Sequence, residues 1–202
     1  ASADFHANTL PTLLNFVDEN LGESQALSSV NSVAVDPTQL KVATDYNVRV
    51  YFVHEGASFH NTLGFSTSDA VTGAETQGRS LIFPDVSSHN QYYENPQSKE
   101  SPSGSANDAM RSDGNPLLQG DFVDLGVIAG GNILDFFLLS DGANGGDKFF
   151  VADKTLNPDG LQHMVAFTVP DSPYLLIGFE DVFFGGDFDY NDAMFVVDIG
   201  EA

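Results

Sequence analysis

A fifteen-residue acidic segment near the C-terminus, residues 178–192, constrains the fold of this chain more than any other feature. Apolar runs at residues 174–179 and 193–199 flank it, and each has the length and composition of a buried strand. The segment contains no Lys or Arg, and six of its side chains carry carboxylate or carboxamide oxygens: Glu180, Asp181, Asp187, Asp189, Asn191 and Asp192. Two strands joined in this way predict a β-hairpin whose loop concentrates negative charge.

The crowding of these acids predicts a calcium site in the hairpin loop. Neighbouring carboxylates raise the cost of ionising one another, and Ca²⁺ removes that cost because it takes about six to eight oxygen ligands. Asp187, Asp189 and Asn191 follow the spacing of an EF-hand loop, but Asp192 stands where an EF-hand has glycine, and no helical pattern flanks the segment. We therefore expect a strand–loop–strand calcium site, with a solvated acidic turn as the alternative.

The composition limits the classes of function. The 202 residues include 7 basic and 29 acidic side chains, so the formal net charge is −22, and we expect no nucleic-acid partner and no membrane insertion. The chain has no cysteine, which excludes disulfides, thiolate catalysis and cysteine-based zinc sites. In an extracellular protein of this kind, bound calcium is a candidate for the stabilising role that disulfides often have.

Short apolar runs separated by turn residues predict an all-β fold. One amphipathic helix is predicted at residues 10–20, with Pro11 in its first turn. The predicted strands cover residues 33–35, 41–44, 47–54, 59–65, 79–83, 121–127, 133–139, 148–152, 163–169, 174–179 and 193–199. This spacing is typical of an antiparallel β-sandwich, jelly-roll or Ig-like, here with one short N-terminal helix. We divide the chain into an N-terminal helical extension that packs on the body, residues 1–30, and a calcium-binding β-sandwich domain, residues 31–202.

A long polar segment at about residues 85–115 interrupts the predicted strands. It is rich in Ser, Asn, Pro and Gln and lacks apolar periodicity, which predicts a long loop. Tyr92 and Tyr93 are expected to be exposed there, and because paired tyrosines can stack on sugar rings they are candidate ligand-binding residues. The alternative is that they fix the loop to the body of the domain.

The sequence offers little support for catalysis. It contains no Gly-x-Ser-x-Gly motif, phosphate-binding loop or dinucleotide fingerprint. His54 and His60 flank Glu55, so a metal site with two histidines and one acid is an alternative, although histidines at strand ends are more often structural. A carboxylate pair would hydrolyse glycosides only if one acid had a raised pKa in a cleft. We expect a protein without enzyme activity and keep a secreted hydrolase of glycans or esters as an alternative.

The C-terminal segment also resembles a known family. Residues 177–181 (IGFED) and 185–192 (GGDxDYND) resemble the signature of the bacterial family known as domain of unknown function 4114. Less specific similarities lie at residues 50–57, 61–65, 81–84, 120–126 and 162–167. The resemblance extends over residues 33–200, and Phe188 departs from the family pattern, in which a basic residue is frequent at this position.

The resemblance implies a secreted or surface-attached bacterial protein without an assigned enzyme activity. It implies calcium at Asp187, Asp189, Asn191 and Asp192, with Glu180 and Asp181 assisting. We therefore expect an extracellular or cell-surface calcium-binding module that acts in adhesion or matrix interaction, with carbohydrate as one ligand class. Its expected partner is an extracellular glycan or a surface protein. A purely structural spacer domain is a further alternative.

Overall fold

Ten strands and one N-terminal α-helix form the part of the chain that the computed structural model describes, residues 1–21, 27, 34–86, 117–170, 172 and 174–200. A π-helical turn, Phe5–Thr9, leads into helix α1, Leu10–Asn20. The strands are β1 Ala34–Val35, β2 Tyr46–His54, β3 Asn61–Asp69, β4 Glu75–Val86, β5 Phe122–Ile128, β6 Asn132–Ser140, β7 Lys148–Val151, β8 Met164–Thr168, β9 Leu175–Phe179 and β10 Ala193–Asp198. Short 3₁₀ turns lie at Pro37–Gln39, Gly142–Asn144 and Lys154–Leu156.

The strands form two antiparallel sheets, which confirms the predicted β-sandwich with one short N-terminal helix. The larger sheet has the strand order β1-β8-β9-β10-β2-β5, and the smaller has the order β4-β3-β6-β7. All the strand pairs between described residues are antiparallel. Apolar side chains from the facing sides of both sheets make the main core. Strand β8 pairs with β9, the next strand in the sequence.

Strand β2 explains how the N-terminal helix is held. Val48, Val50 and Phe52 point into the main core, whereas Tyr51 and Val53 belong to a second apolar cluster on the outer side of the larger sheet. The apolar face of α1 covers that second cluster, with Leu10, Leu13 and Val17 buried at helical spacing. Both sides of β2 are therefore apolar because one faces the opposite sheet and the other faces the helix.

The structure corrects two of the strand predictions. Residues 41–44 do not form a strand, since the pairing there is a single bridge between Lys41 and Ile133. The strand predicted at residues 79–83 was expected to stop at Pro84, but β4 continues through it to Val86. Strand β4 lies at the edge of its sheet, where a proline can be accommodated because the missing N–H need not remove a ladder hydrogen bond. Asp85 and Val86 therefore belong to a strand and not to the predicted polar loop.

Tyr92, Tyr93 and most of the predicted loop at about residues 85–115 lie outside the described residues. Among the helices of the described residues, none has both the length and the apolar character needed to cross a membrane.

Candidate metal centre

The acidic segment forms the hairpin loop between β9 and β10, and we call residues 180–192 the acid loop. Phe179 pairs with Ala193 at the end of the ladder, so Glu180 and Asp192 begin and end the loop side by side. Gly178 is required at this junction, since a Cβ there would collide with the main-chain oxygen of Tyr190. The strand register therefore brings together acids that are separated by up to twelve positions in the sequence.

Carboxylates of the acid loop converge in two groups, either of which could hold a metal ion. One group contains Glu180, Asp187 and Asp189, and the other contains Glu180, Asp181 and Asp192. Within each group, one ligand oxygen from each residue lies within 4.8 Å of the others. Glu180, Asp181 and Asp189 are almost fully buried, with about 1% of their surface exposed, whereas Asp187 is exposed. Glu180 is common to both groups.

Hydrogen bonds hold these carboxylates in place. The Phe188 N–H donates to Glu180 Oε2 at 3.1 Å, and the Asp181 N–H donates to Asp192 Oδ2 at 2.8 Å. Asn61, fully buried at the start of β3, donates its Nδ2 to Asp181 Oδ2 at 2.7 Å. The smaller sheet therefore contributes a donor to a loop that belongs to the larger sheet.

The predicted ligand Asn191 contacts Asp189 within the acid loop and Leu21, the residue that follows helix α1. Its main-chain N–H donates to Asp189 Oδ1 at 3.2 Å, and its side-chain Nδ2 donates to Asp189 Oδ2 at 2.9 Å. The same Nδ2 donates to the carbonyl oxygen of Leu21, just after α1, at 3.2 Å. Asn191 therefore orients the carboxylate of Asp189 and joins the loop to the end of the helix.

Burial and mutual repulsion shift the acid loop toward protonation when no cation is present. Burial first, and then the charge of Asp192, raises the pKa of Glu180 to about 9 and the pKa of Asp181 to about 8. Burial also raises the pKa of Asp192. Among the ion pairs formed between described residues, none involves these three carboxylates. A positive charge that entered here would therefore stabilise all three in their ionised form.

The backbone of the acid loop is strained at three aromatic residues, of which two are exposed and Tyr190 is buried. Phe184, Phe188 and Tyr190 have left-handed φ values of 73°, 61° and 59°, a region that costs non-glycine residues about 1–2 kcal/mol each. Val182 and the rings of Phe184 and Phe188 are exposed, with 69% of Phe184 open to solvent. The loop thus buries Glu180, Asp181 and Asp189 and presents apolar side chains to solvent.

The alternative metal site around His54 and His60 does not show a comparable convergence of ligand atoms among the described residues. In the described residues, neither histidine belongs to a group of potential metal ligands. His60 Nδ1 lies 3.1 Å from a carboxylate oxygen of Asp85, and burial lowers the pKa of His54. Asp141, in the turn before β7, accepts one hydrogen bond from Asn144 Nδ2 within that turn and one from the distant main-chain N–H of His60.

Three residues that contact the acid loop were not predicted from the sequence. They are Asn61, Asp159 and His163, which lie before or at the start of strands far from the loop in sequence. No local motif marks them, because Asn61 reaches the loop from the smaller sheet and His163 reaches it through the pairing of β8 with β9.

Comparison with known proteins supports the resemblance over the C-terminal part of the chain. The family model described as Domain of unknown function (DUF4114) matches residues 128–200, which include strands β6–β10 and the whole acid loop. The predicted family is thereby confirmed for those residues, and the similarities noted between residues 50 and 126 lie outside the matched range. No curated protein and no solved structure matches the chain.

Proposed function

We propose that the protein is a calcium-binding β-sandwich module whose ion site is the acid loop. The premise of this proposal is that residues 128–200 match the domain of unknown function. The observation that carries the proposal is the convergence of two carboxylate groups on the buried side chain of Glu180. Burying an ionised carboxylate away from water costs free energy unless a cation is paired with it. A divalent cation bound in the loop would supply that charge.

The chemistry of the loop favours calcium over other metals. Both carboxylate groups offer oxygen ligands only, and the hard cations Ca²⁺ and Mg²⁺ prefer such ligands. Zinc sites are usually built with histidine or cysteine, and neither residue type is in these groups. Mg²⁺ demands a nearly octahedral shell, whereas Ca²⁺ accepts the irregular geometry that a strained loop provides.

Each predicted ligand has a proposed role in this site. Glu180 is the shared ligand, Asp187 and Asp189 complete one group, and Asp181 and Asp192 complete the other. Asn191 acts by orienting Asp189 through its two hydrogen bonds. The exposed Asp187 would be the first ligand that an ion entering from solvent meets.

We further propose that the module works outside the cell, in adhesion or matrix interaction at a bacterial surface. Extracellular calcium modules bind with dissociation constants of roughly 0.1–1 mM, so the ion site would be filled there. The exposed aromatic side chains of the acid loop support a partner contact beside the ion, because exposed apolar groups often mark interaction sites. An extracellular glycan or a surface protein is the proposed partner, and the module binds it without catalysis.

Calorimetric titration of the metal-stripped chain with calcium tests the ion site. The variant Asp189→Asn should bind calcium at least about tenfold more weakly, because it removes a buried carboxylate from one group. The variant Asp153→Asn is the matched control, since it makes the same change in an exposed turn and should leave the affinity unchanged. Absence of binding by the unmodified chain, or equal affinity in both variants, would refute the proposed site.

A glycan and peptide array, probed once with calcium and once with chelator, tests the role of the module. A signal that disappears in chelator would support a calcium-dependent adhesion module. Calcium binding without any signal on the array would favour the structural spacer instead.

A further inference from the structure

A fully buried pair of side chains, Asp159 and His163, lies beneath the acid loop. Neither side chain has any surface exposed to solvent, and His163 Nε2 is 2.9 Å from Asp159 Oδ2. The ring of His163 stacks on Phe150, with 3.7 Å between the ring centroids and 7° between the ring planes. Phe150 belongs to β7 in the smaller sheet, whereas His163 directly precedes β8 in the larger sheet. The pair is therefore fixed between the two sheets.

His163 contacts both main-chain polar groups of Glu180. The Glu180 N–H donates to the carbonyl oxygen of His163 at 2.9 Å, and His163 Nδ1 lies 2.8 Å from the carbonyl oxygen of Glu180. A carbonyl oxygen can only accept, so Nδ1 is the donor in the second contact. The main chain of the residue common to both carboxylate groups is thus held on both sides by one buried histidine.

Asp159 extends this support to the other side of the loop. Its Oδ2 accepts the main-chain N–H of Phe184 at 2.8 Å in addition to facing His163. Burial acts to raise the pKa of Asp159, but hydrogen bonds from Leu161, His163 and Phe184 outweigh it, so the pKa lies below its ordinary value. An ionised Asp159 therefore connects His163 to the strained residue Phe184, and the pair fixes residues 180 and 184 together.

We propose that Asp159 and His163 are positioning residues that set the affinity of the acid loop for its cation. The inference rests on the proposed function, since it assigns a supporting element to the same ion site. By fixing the main chain of Glu180, the pair holds the shared carboxylate where both groups require it, without contacting the ion. Groups that orient the ligands of a metal typically change its affinity by about 10–100-fold when they are removed.

Two substitutions of His163 separate positioning from general stability. His163→Asn keeps a donor close to the place of Nδ1, where it can reach the carbonyl oxygen of Glu180, whereas His163→Gln places its donor nearer to Nε2 and Asp159. Both variants lose the ring that stacks on Phe150, so both should melt at a lower temperature in chelator. Calcium titration of the full chain should show an affinity about 10–100-fold weaker for His163→Gln, and His163→Asn should retain most of the affinity.

The variant Asp159→Asn provides an independent measurement if either His163 variant fails to fold. It keeps the shape of the side chain but removes the charge, and it should weaken calcium binding while increasing hydrogen exchange at the Phe184 amide. Affinity equal to that of the unmodified chain in Asp159→Asn and His163→Gln would overturn the positioning role and leave the ion site standing. Equal weakening in both His163 variants would also overturn it, because affinity would then follow stability. If the unmodified chain bound no calcium, the proposed function would fail together with this inference.

Discussion

Glu180 is common to both carboxylate groups of the proposed ion site, and only part of its role can be predicted from the sequence. The identity of the acids in residues 178–192 predicts cation binding, because so many carboxylates in a short loop have few other uses. The buried support from Asn61 and His163 has no such signal, since their contacts depend on long-range packing. The convergence of the carboxylates was therefore predictable from the sequence, whereas the buried residues that contact them were not.

The free energy of unfolding of the metal-free protein should fall as the pH rises from about 5 to about 9. Burial raises the pKa of Glu180 from 4.5 to about 9 and that of Asp181 from 3.8 to about 8. In strong acid both the native and the unfolded states hold these protons, so the shifts have no effect there. As the pH rises, the unfolded chain releases the protons first, which favours unfolding. Urea unfolding in chelator at a series of pH values measures this slope.

The pH series has an internal control in Glu180→Gln, which removes one titrating group and should make the metal-free slope shallower. Saturating calcium should remove most of the slope from the unmodified chain, because the bound ion stabilises the ionised carboxylates. A metal-free stability that does not change over this range would contradict the raised pKa values of the acid loop.

Gly186 offers a second test at the residue scale. It has a left-handed φ of 46°, and a Cβ at this position would collide with Glu180 Oε1. Gly186→Ala should therefore lower the free energy of unfolding by about 1–2 kcal/mol and also weaken calcium binding, because the shared carboxylate must move. Unfolding curves in chelator and calcium titration together measure the two effects.

The matched control for this substitution is Gly73→Ala. Gly73 also has a left-handed φ, 70°, but a Cβ there has open space. The control should pay a similar backbone cost and keep the calcium affinity of the unmodified chain. Equal calcium affinities in the two variants would mean that the position of Glu180 does not determine binding.

At the scale of elements, local pattern predicts most of the fold and fails where pairing partners decide the outcome. The β9–β10 hairpin and helix α1 follow from apolar runs of the right length and period. The continuation of β4 through Pro84 could not be predicted, because a proline stops a central strand but not an edge strand, and the order of strands in a sheet is not visible in the local pattern. The apolar residues on both sides of β2 agree with its place between β10 and β5, but they do not show that the second side faces a helix.

Removal of calcium should loosen the N-terminal helix as well as the acid loop. Asn191 Nδ2 donates to the carbonyl oxygen of Leu21, and the Leu27 N–H donates to the carbonyl oxygen of Phe188, so two contacts join the loop to the chain that follows α1. Loss of order in the loop would break these contacts and raise the frequency of local opening. Hydrogen exchange measured with calcium and with chelator should show faster exchange in α1 without the ion.

Strands β3 and β6 serve as the internal reference for that experiment, because they pair in the centre of the smaller sheet. Their exchange should change little between the two conditions. Unchanged exchange in α1, with faster exchange limited to the acid loop, would contradict the coupling between loop and helix.

At the scale of the whole molecule, the net charge and the arrangement of the two sheets both favour a cation in the acid loop. The chain has a formal net charge of −22 and no disulfides, and self-repulsion at this charge destabilises a compact state. The acid loop joins β9 to β10 in the larger sheet and receives a hydrogen bond from Asn61 in the smaller sheet. A cation in the loop would reduce the repulsion at the point where the two sheets and the N-terminal helix are connected. The number and kind of layers were predictable from the spacing of the strands, whereas this connection was not.

The central claim, that the acid loop binds calcium, is tested most directly by thermal melting of the metal-stripped protein with calcium or magnesium added back at equal ionic strength. A ligand at a hundredfold excess over its dissociation constant stabilises the native state by about 2.7 kcal/mol. For a domain of this size we therefore expect calcium to raise the melting temperature by about 5–10 °C and magnesium to raise it much less. An equal rise with both ions, or no rise with calcium, would contradict the account.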